Sequence, residues 1–132
     1  MDETSFQIRL IHGLSSVSAE DWNAVANPAG LPDDPFLSWE FLEALEATGC
    51  AVPERGWAPH HILLEAPGRG LIGAMPLYLK GHSQGEFVFD HSWADAYERA
   101  GGRYYPKLLS AVPFTPVTGR RRLVRPGPDE TR

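Results

Sequence analysis

Two phenols and an ammonium stand together at Tyr104-Tyr105-Pro106-Lys107, in a stretch whose prolines resist regular structure. Such segments often present binding groups on a scaffold of regular elements. Tyr104 and Tyr105 read equally as core aromatics or as hydrogen-bonding binders, since a buried phenol wants a partner for its hydroxyl. Lys107 reads as functional. Phe114 and Thr115 lie in the same irregular stretch and join these three as substrate-binding candidates. No residue in the stretch identifies itself as a catalytic acid or base.

Other chemistries find less support. The five histidines, His12, His60, His61, His82 and His91, include no pair at the helical i, i+4 spacing of a zinc site, and Cys50 is the single cysteine. His60 and His61 point to opposite faces if they lie in a strand. Asp90, His91 and Asp95 are close in sequence, but Asp90 or Ser92 reads as the cap of a following helix. Cys50 follows a glycine, has no nearby histidine, and reads as incidental. No phosphate-cradling glycine loop is present. Arg125-Pro126-Gly127-Pro128 lacks the amides that would hold an anion at a helix start. The run Arg120-Arg121-Arg122 has no interleaved aromatics, which speaks against nucleic acid as the main partner and leaves at most an incidental tRNA contact.

Several elements must position these groups. Phe6, Ile8 and Leu10 alternate with polar residues, a strand pattern with one buried face. Ser18, with Asp21 three residues later, starts a helix that carries Trp22, Val25 and Ala26 inward and stops at Asn27-Pro28. A second helix runs over residues 38–48, with Phe41, Leu42 and Leu45 on one face and Gly49 at its end. Residues 61–65 and 70–80 form an antiparallel hairpin around a turn at 66–70, with Pro76 marking an edge or bulge. Residues 86–89 make a third short strand, 94–100 a helix, and 120–124 a last strand. The aromatics Trp93, Tyr97, Tyr104, Tyr105 and Phe114 are expected mostly in the core. Residues 1–124 thus form one α+β domain with a mainly antiparallel sheet flanked by helices, followed by a tail at 125–132.

The bulk properties agree with one globular domain. The 132 residues are 42% hydrophobic and 22% charged. The net charge of −5 is uneven. The first 98 residues hold fifteen acids against four bases, and the remainder eight bases against two acids. One cysteine excludes an intrachain disulfide, and no apolar run reaches membrane-spanning length. The expected location is the cytoplasm.

Pro35-Phe36-Leu37-Ser38, Asp95-Ala96-Tyr97, Tyr104-Tyr105-Pro106-Lys107-Leu108 and Ala111-Val112-Pro113-Phe114-Thr115-Pro116-Val117-Thr118-Gly119 occur in this order. Together they resemble the FemAB-like peptidoglycan biosynthesis or recognition family of the GNAT acyltransferase superfamily. The resemblance covers nearly the whole chain, and residues 104–119 are its most specific part. It implies a GNAT-like fold, here an incomplete N-terminal half. It also implies an acyl- or aminoacyltransferase part acting on an amine acceptor such as a peptidoglycan precursor, inactive alone. The alternative is a non-catalytic module that binds a cell-wall precursor or a protein partner. Acyl-CoA or aminoacyl-tRNA is the implied co-substrate of a full-length relative, and this chain is expected to hold no cofactor and no metal. Surface left open by a missing half is expected to favour self-association.

Overall fold

The computed structural model describes residues 5–84, 86 and 90–126. In chain order the elements are β1 Gln7–Ile11, α1 Ala19–Ala26, α2 Trp39–Ala47, β2 Trp57–Pro59, β3 His61–Ala66, β4 Gly70–Met75, β5 Tyr78–Lys80, α3 His91–Arg99, β6 Lys107–Leu109 and β7 Leu123–Val124. The strands pair antiparallel in two sheets, ordered β1-β3-β4-β7 and β2-β5-β6. The chain is α+β, as its sequence pattern indicates. Among the described residues no helix is long and apolar enough to cross a membrane.

Both leading helices begin at serines whose side chains satisfy otherwise free amides. Ser18 Oγ accepts from Asp21 N at 3.1 Å, and Ser38 Oγ accepts from Phe41 N at 3.2 Å. Asn27 closes α1, and Gly49 takes a positive φ of 82° just beyond α2. The inward stripes, with Trp22, Val25, Ala26 and Leu42, pack on Leu63, Leu71, Ala74 and Leu123 of the first sheet. Burial of each large apolar side chain contributes about 1.5–3 kcal/mol. Trp22 also donates its indole N–H to Leu37 O at 2.9 Å, so this core tryptophan buries no unpaired donor.

A buried polar pin ties α2 to the sheet. Glu46 accepts from Leu14 N at 2.7 Å and from His61 Nε2 at 2.8 Å. His61 Nδ1 accepts from Leu77 N at 3.2 Å, which makes the ring a neutral imidazole with its proton on Nε2. His61, the first residue of β3, is fully buried, while His60 lies outside the strands at the bend between β2 and β3 and is half-buried.

Several expectations need correction. The apolar side of β1 is the outward side: Ile8 is 75% exposed, and Phe6 and Leu10 are exposed as well. Ile8 lies across from Leu64 and Arg9 from the buried Leu63, yet Gln7 and Arg9 on that other side are exposed too, and within the strand burial is confined to Ile11. Residues 70–80 are two strands, not one. The chain leaves the first sheet at Met75, passes Pro76 and joins the second sheet at Tyr78. Its partner makes the same change between Pro59 and His61, and His60 N donates to Leu77 O at 2.9 Å across the bend. A proline cannot donate to a ladder, so the ladder breaks there. The helix expected at 94–100 begins earlier, at His91. The strand expected at 120–124 is confined to Leu123–Val124, because Arg120 and Arg121 turn to other work described below. Trp93 and Tyr97 are exposed rather than core, as is Phe114, while Tyr104 and Tyr105 are intermediate. Of the strand expected at 86–89, only Glu86 is described, and it belongs to no strand; residues 87–89 lie outside the described set.

Candidate functional site

The segment 104–119 divides into two parts with different duties. Lys107 opens β6, which pairs with β5 so that Lys107 lies directly across from Lys80. Two like charges at facing positions repel. Glu86 resolves the conflict by lying between them: its Oε1 accepts from Lys107 Nζ at 2.9 Å, and its Oε2 is 3.6 Å from Lys80 Nζ. The Lys80 side chain is completely buried, with its ammonium 3.7 Å from the centre of the Trp57 ring and a hydrogen bond to Gln84 O at 2.6 Å. That combination of ring face, carbonyl and carboxylate offsets part of the cost of burying a cation.

Lys107 is the hub. It donates to Glu86, to Ser83 Oγ at 3.0 Å and to Asp90 Oδ2, which engages all three of its N–H bonds. Asp90 Oδ2 also accepts from the Tyr104 hydroxyl at 2.5 Å, and Asp90 Oδ1 from Ser83 Oγ at 2.5 Å. The Tyr105 hydroxyl is 2.6 Å from Ser83 Oγ. Three sequence candidates, Tyr104, Tyr105 and Lys107, therefore meet in one network.

Charge and burial set the protonation of this network. Burial alone lifts the Asp90 carboxyl, but hydrogen bonds from Lys107, Ser83 and Tyr104 outweigh it and hold the group far below the usual carboxylate range. Lys107 is pushed down by burial and up, more strongly in sum, by Asp90 and Glu86, so it stays an ammonium to higher pH than a free lysine. The hydrogen bond to Asp90, then burial, raises the Tyr104 phenol. Lys80 moves the other way, because burial lowers it more than Glu86 restores it.

The reading of Asp90 as a helix cap does not hold. Asp90 occupies the N-cap position of α3 but makes no capping hydrogen bond. Lys107, Ser83 and Tyr104 outbid the amides for its oxygens, because an ammonium–carboxylate bond is roughly twice as strong as a neutral one.

The second part of the segment lines a cavity of about 350 Å³, together with Trp57 and Glu86. Ser110 anchors its start by donating to Pro76 O at 2.7 Å, at the bend between the sheets. Val112 is buried, and the Phe114 ring packs on Trp57 with centroids 5.2 Å apart and a backbone φ of 63°. Thr115 and residues 116–119 complete the wall with Arg121. The far end is tied down by the arginine run. Arg120 donates to Ala26 O at the end of α1 at 2.6 Å, and Arg121 to Val117 O at 3.0 Å. These two arginines are braces on backbone carbonyls. Gly119 sits so close to Asp34 that a Cβ there would meet Oδ2 at 2.9 Å.

Of the candidates, Thr115 lines the cavity, Phe114 backs it through Trp57, and Tyr104, Tyr105 and Lys107 lie in the polar network. Glu86 belongs to both parts. It was not legible as a site residue, nor were Ser83, Lys80, Trp57 and Arg121. The available signal was a lone lysine and a lone glutamate at the ends of apolar runs. Among the described residues no group of three metal-ligating side chains is assembled. Cys50 is exposed.

No curated protein and no solved structure matches the chain. The model of the FemAB-like family, described as peptidoglycan biosynthesis/recognition, matches residues 13–132, and the chain belongs to that family.

Proposed function

We propose that this FemAB-like chain supplies the acceptor-binding surface of an acyl- or aminoacyltransferase of the GNAT kind, acting on an amine acceptor such as a peptidoglycan precursor. The observation that carries the reading is the joint construction of residues 104–119: one part holds the Lys107 network, the next walls a cavity, and Glu86 belongs to both. A buried carboxylate beside an apolar cavity suits an amine N–H, and Tyr105, Thr115 and Phe114 shape the approach to it. Lys107 works through Glu86, holding the carboxylate in place, because its own donors are spent. Acyl-CoA or aminoacyl-tRNA would be the donor in a longer relative, and the reading places no donor site on this chain. A cytoplasmic setting fits a reduced, exposed Cys50.

A second reading is a module that binds a cell-wall precursor without catalysis. It is favoured by the engagement of both Asp90 oxygens within the protein, which leaves that carboxylate unsuited to accept a proton from a substrate. Calorimetry with a muropeptide tests both readings. Binding by the wild-type chain, lost in Lys107→Ala, is expected from either. Binding of acetyl-CoA or aminoacyl-tRNA by this chain would overturn the restriction to the acceptor side, and absence of muropeptide binding would overturn the site.

A further inference from the structure

We propose that the chain pairs with a second copy of itself, edge to edge along β1, in an antiparallel register that sets Ile8 opposite the second copy's Ile8. The inference concerns the far side of the first sheet and does not rest on any reading of the cavity.

β1 lies at the edge of its sheet, with β3 on one side and, among the described strands, none on the other. In an antiparallel pair alternate residues turn their N–H and C=O groups toward the neighbour, so the remaining residues of β1 aim theirs off the open edge. The other sheet edges are short: β7 spans two residues, β6 three, and β2 three with Pro59 among them. Short strands and prolines discourage further pairing. β1 has five residues and no proline. Its single charge does not guard the edge either. Arg9 is drawn back over its own sheet, where Nε donates to Glu65 Oε1 at 3.2 Å.

Both faces of the strand leave room for a neighbour. Ile8 is largely exposed, with Phe6 and Leu10 exposed beside it. On the opposite face Gln7 and Arg9 are exposed as well, so the helix layer stops short of β1 and does not bar a second copy.

The edge is also complementary to itself. A register that keeps the apolar residues of both copies on one face must be centred on a residue of the strand. Centred on Ile8, it sets Ile8 against Ile8, Phe6 against Leu10 and Gln7 against Arg9 of the second copy. Three apolar pairs then lie on one face and two amide–guanidinium pairs on the other. Centred on Arg9, it would set two guanidinium groups face to face, which repels. Centred on Leu10, it would bring Arg9 onto Ile11, which is already buried within its own subunit. Centred on Gln7, it would leave Leu10 past the end of the apolar row. The Ile8 register is the one that satisfies both faces.

The test follows the intact wild-type chain across a concentration series, by sedimentation equilibrium and by amide hydrogen exchange. A reversible monomer–dimer equilibrium is expected, and alternate amides of β1 should exchange more slowly as the dimer forms. Two variants at the exposed Gln7 then read the register. Gln7→Glu sets a carboxylate opposite the second copy's Arg9, twice over by symmetry, and should tighten the dimer. Gln7→Lys sets like charges there and should weaken it. Each change should be about twofold to thirtyfold in the dissociation constant, from the usual weight of two cross-strand charge pairs, and added salt should shrink it. A wild-type chain that stays monomeric at every concentration overturns the inference, without reliance on any variant that fails to fold. So do β1 amides whose exchange ignores concentration, or a dimer that both variants shift in the same direction, since either result places the contact elsewhere.

Discussion

Replacing Lys107 with methionine keeps most of the aliphatic stem and removes the charge at the centre of the network. In the wild type, Lys107 meets two carboxylates whose side chains are 19% and 7% exposed, and also Ser83 Oγ. Stripping one partner from a buried ion pair typically costs about 3–5 kcal/mol. Here Asp90 keeps Ser83 and Tyr104, and Glu86 keeps Lys80 at 3.6 Å, so the loss should fall lower, at about 2–4 kcal/mol at pH 7. Urea unfolding followed by tryptophan fluorescence measures it as a drop in midpoint. The pH dependence is the stricter check. The folded-state pKa of Asp90 is depressed, so its contribution is complete above the unfolded value near about 4 and is lost as pH falls toward the folded value. Lys107 is raised, so its contribution is complete below about 10.4 and is lost as pH rises through the folded value. The gap between wild type and Lys107→Met should therefore be flat between these limits and narrow outside them. A variant within about 0.5 kcal/mol of wild type at pH 7, or a gap that ignores acid pH, would refute the assignment of Lys107 as the hub.

Further perturbations test the scaffold. Glu46→Ala strands the buried His61 and the Leu14 amide and should cost about 2–3 kcal/mol in chemical denaturation, while His60→Ala, at the half-buried bend between β2 and β3, should cost far less. Leu42→Ala empties the contact between α2 and the core and should lower stability by about 2–5 kcal/mol. Gly56→Ala combines a φ of 80° with a Cβ pressed against the His82 ring, and a loss of at least about 1 kcal/mol is expected by thermal melting. Ile8→Lys, on the outward face of β1, should change stability by less than about 0.5 kcal/mol and reduce concentration-dependent association in sedimentation; unchanged sedimentation would free that face of any such role.

Local chemistry alone settled a good part of this protein. Ser18 and Ser38 cap helices because free amides need acceptors wherever they occur, and Asn27 and Gly49 end them by backbone preference. The hairpin of β3 and β4 follows from two apolar runs around a glycine-rich turn. The four-residue motif ending at Lys107 was visible as a place where polar groups gather. Alternation in β1 said which residues share a face but not which face the helices would cover, since that depends on packing from outside the strand. Pro76 signalled a break in the ladder, and only the paired break at Pro59 and His60 made it a change of sheet. The candidate site depended most on tertiary structure. Lys80 and Lys107 become facing charges only through the pairing of β5 with β6, Asp90 gives up its cap only because Lys107 arrives there, and Glu86 acquires a role only from standing between a cation pair and a cavity. Each of these rests on contacts between residues far apart in the chain, which spacing along the sequence does not encode.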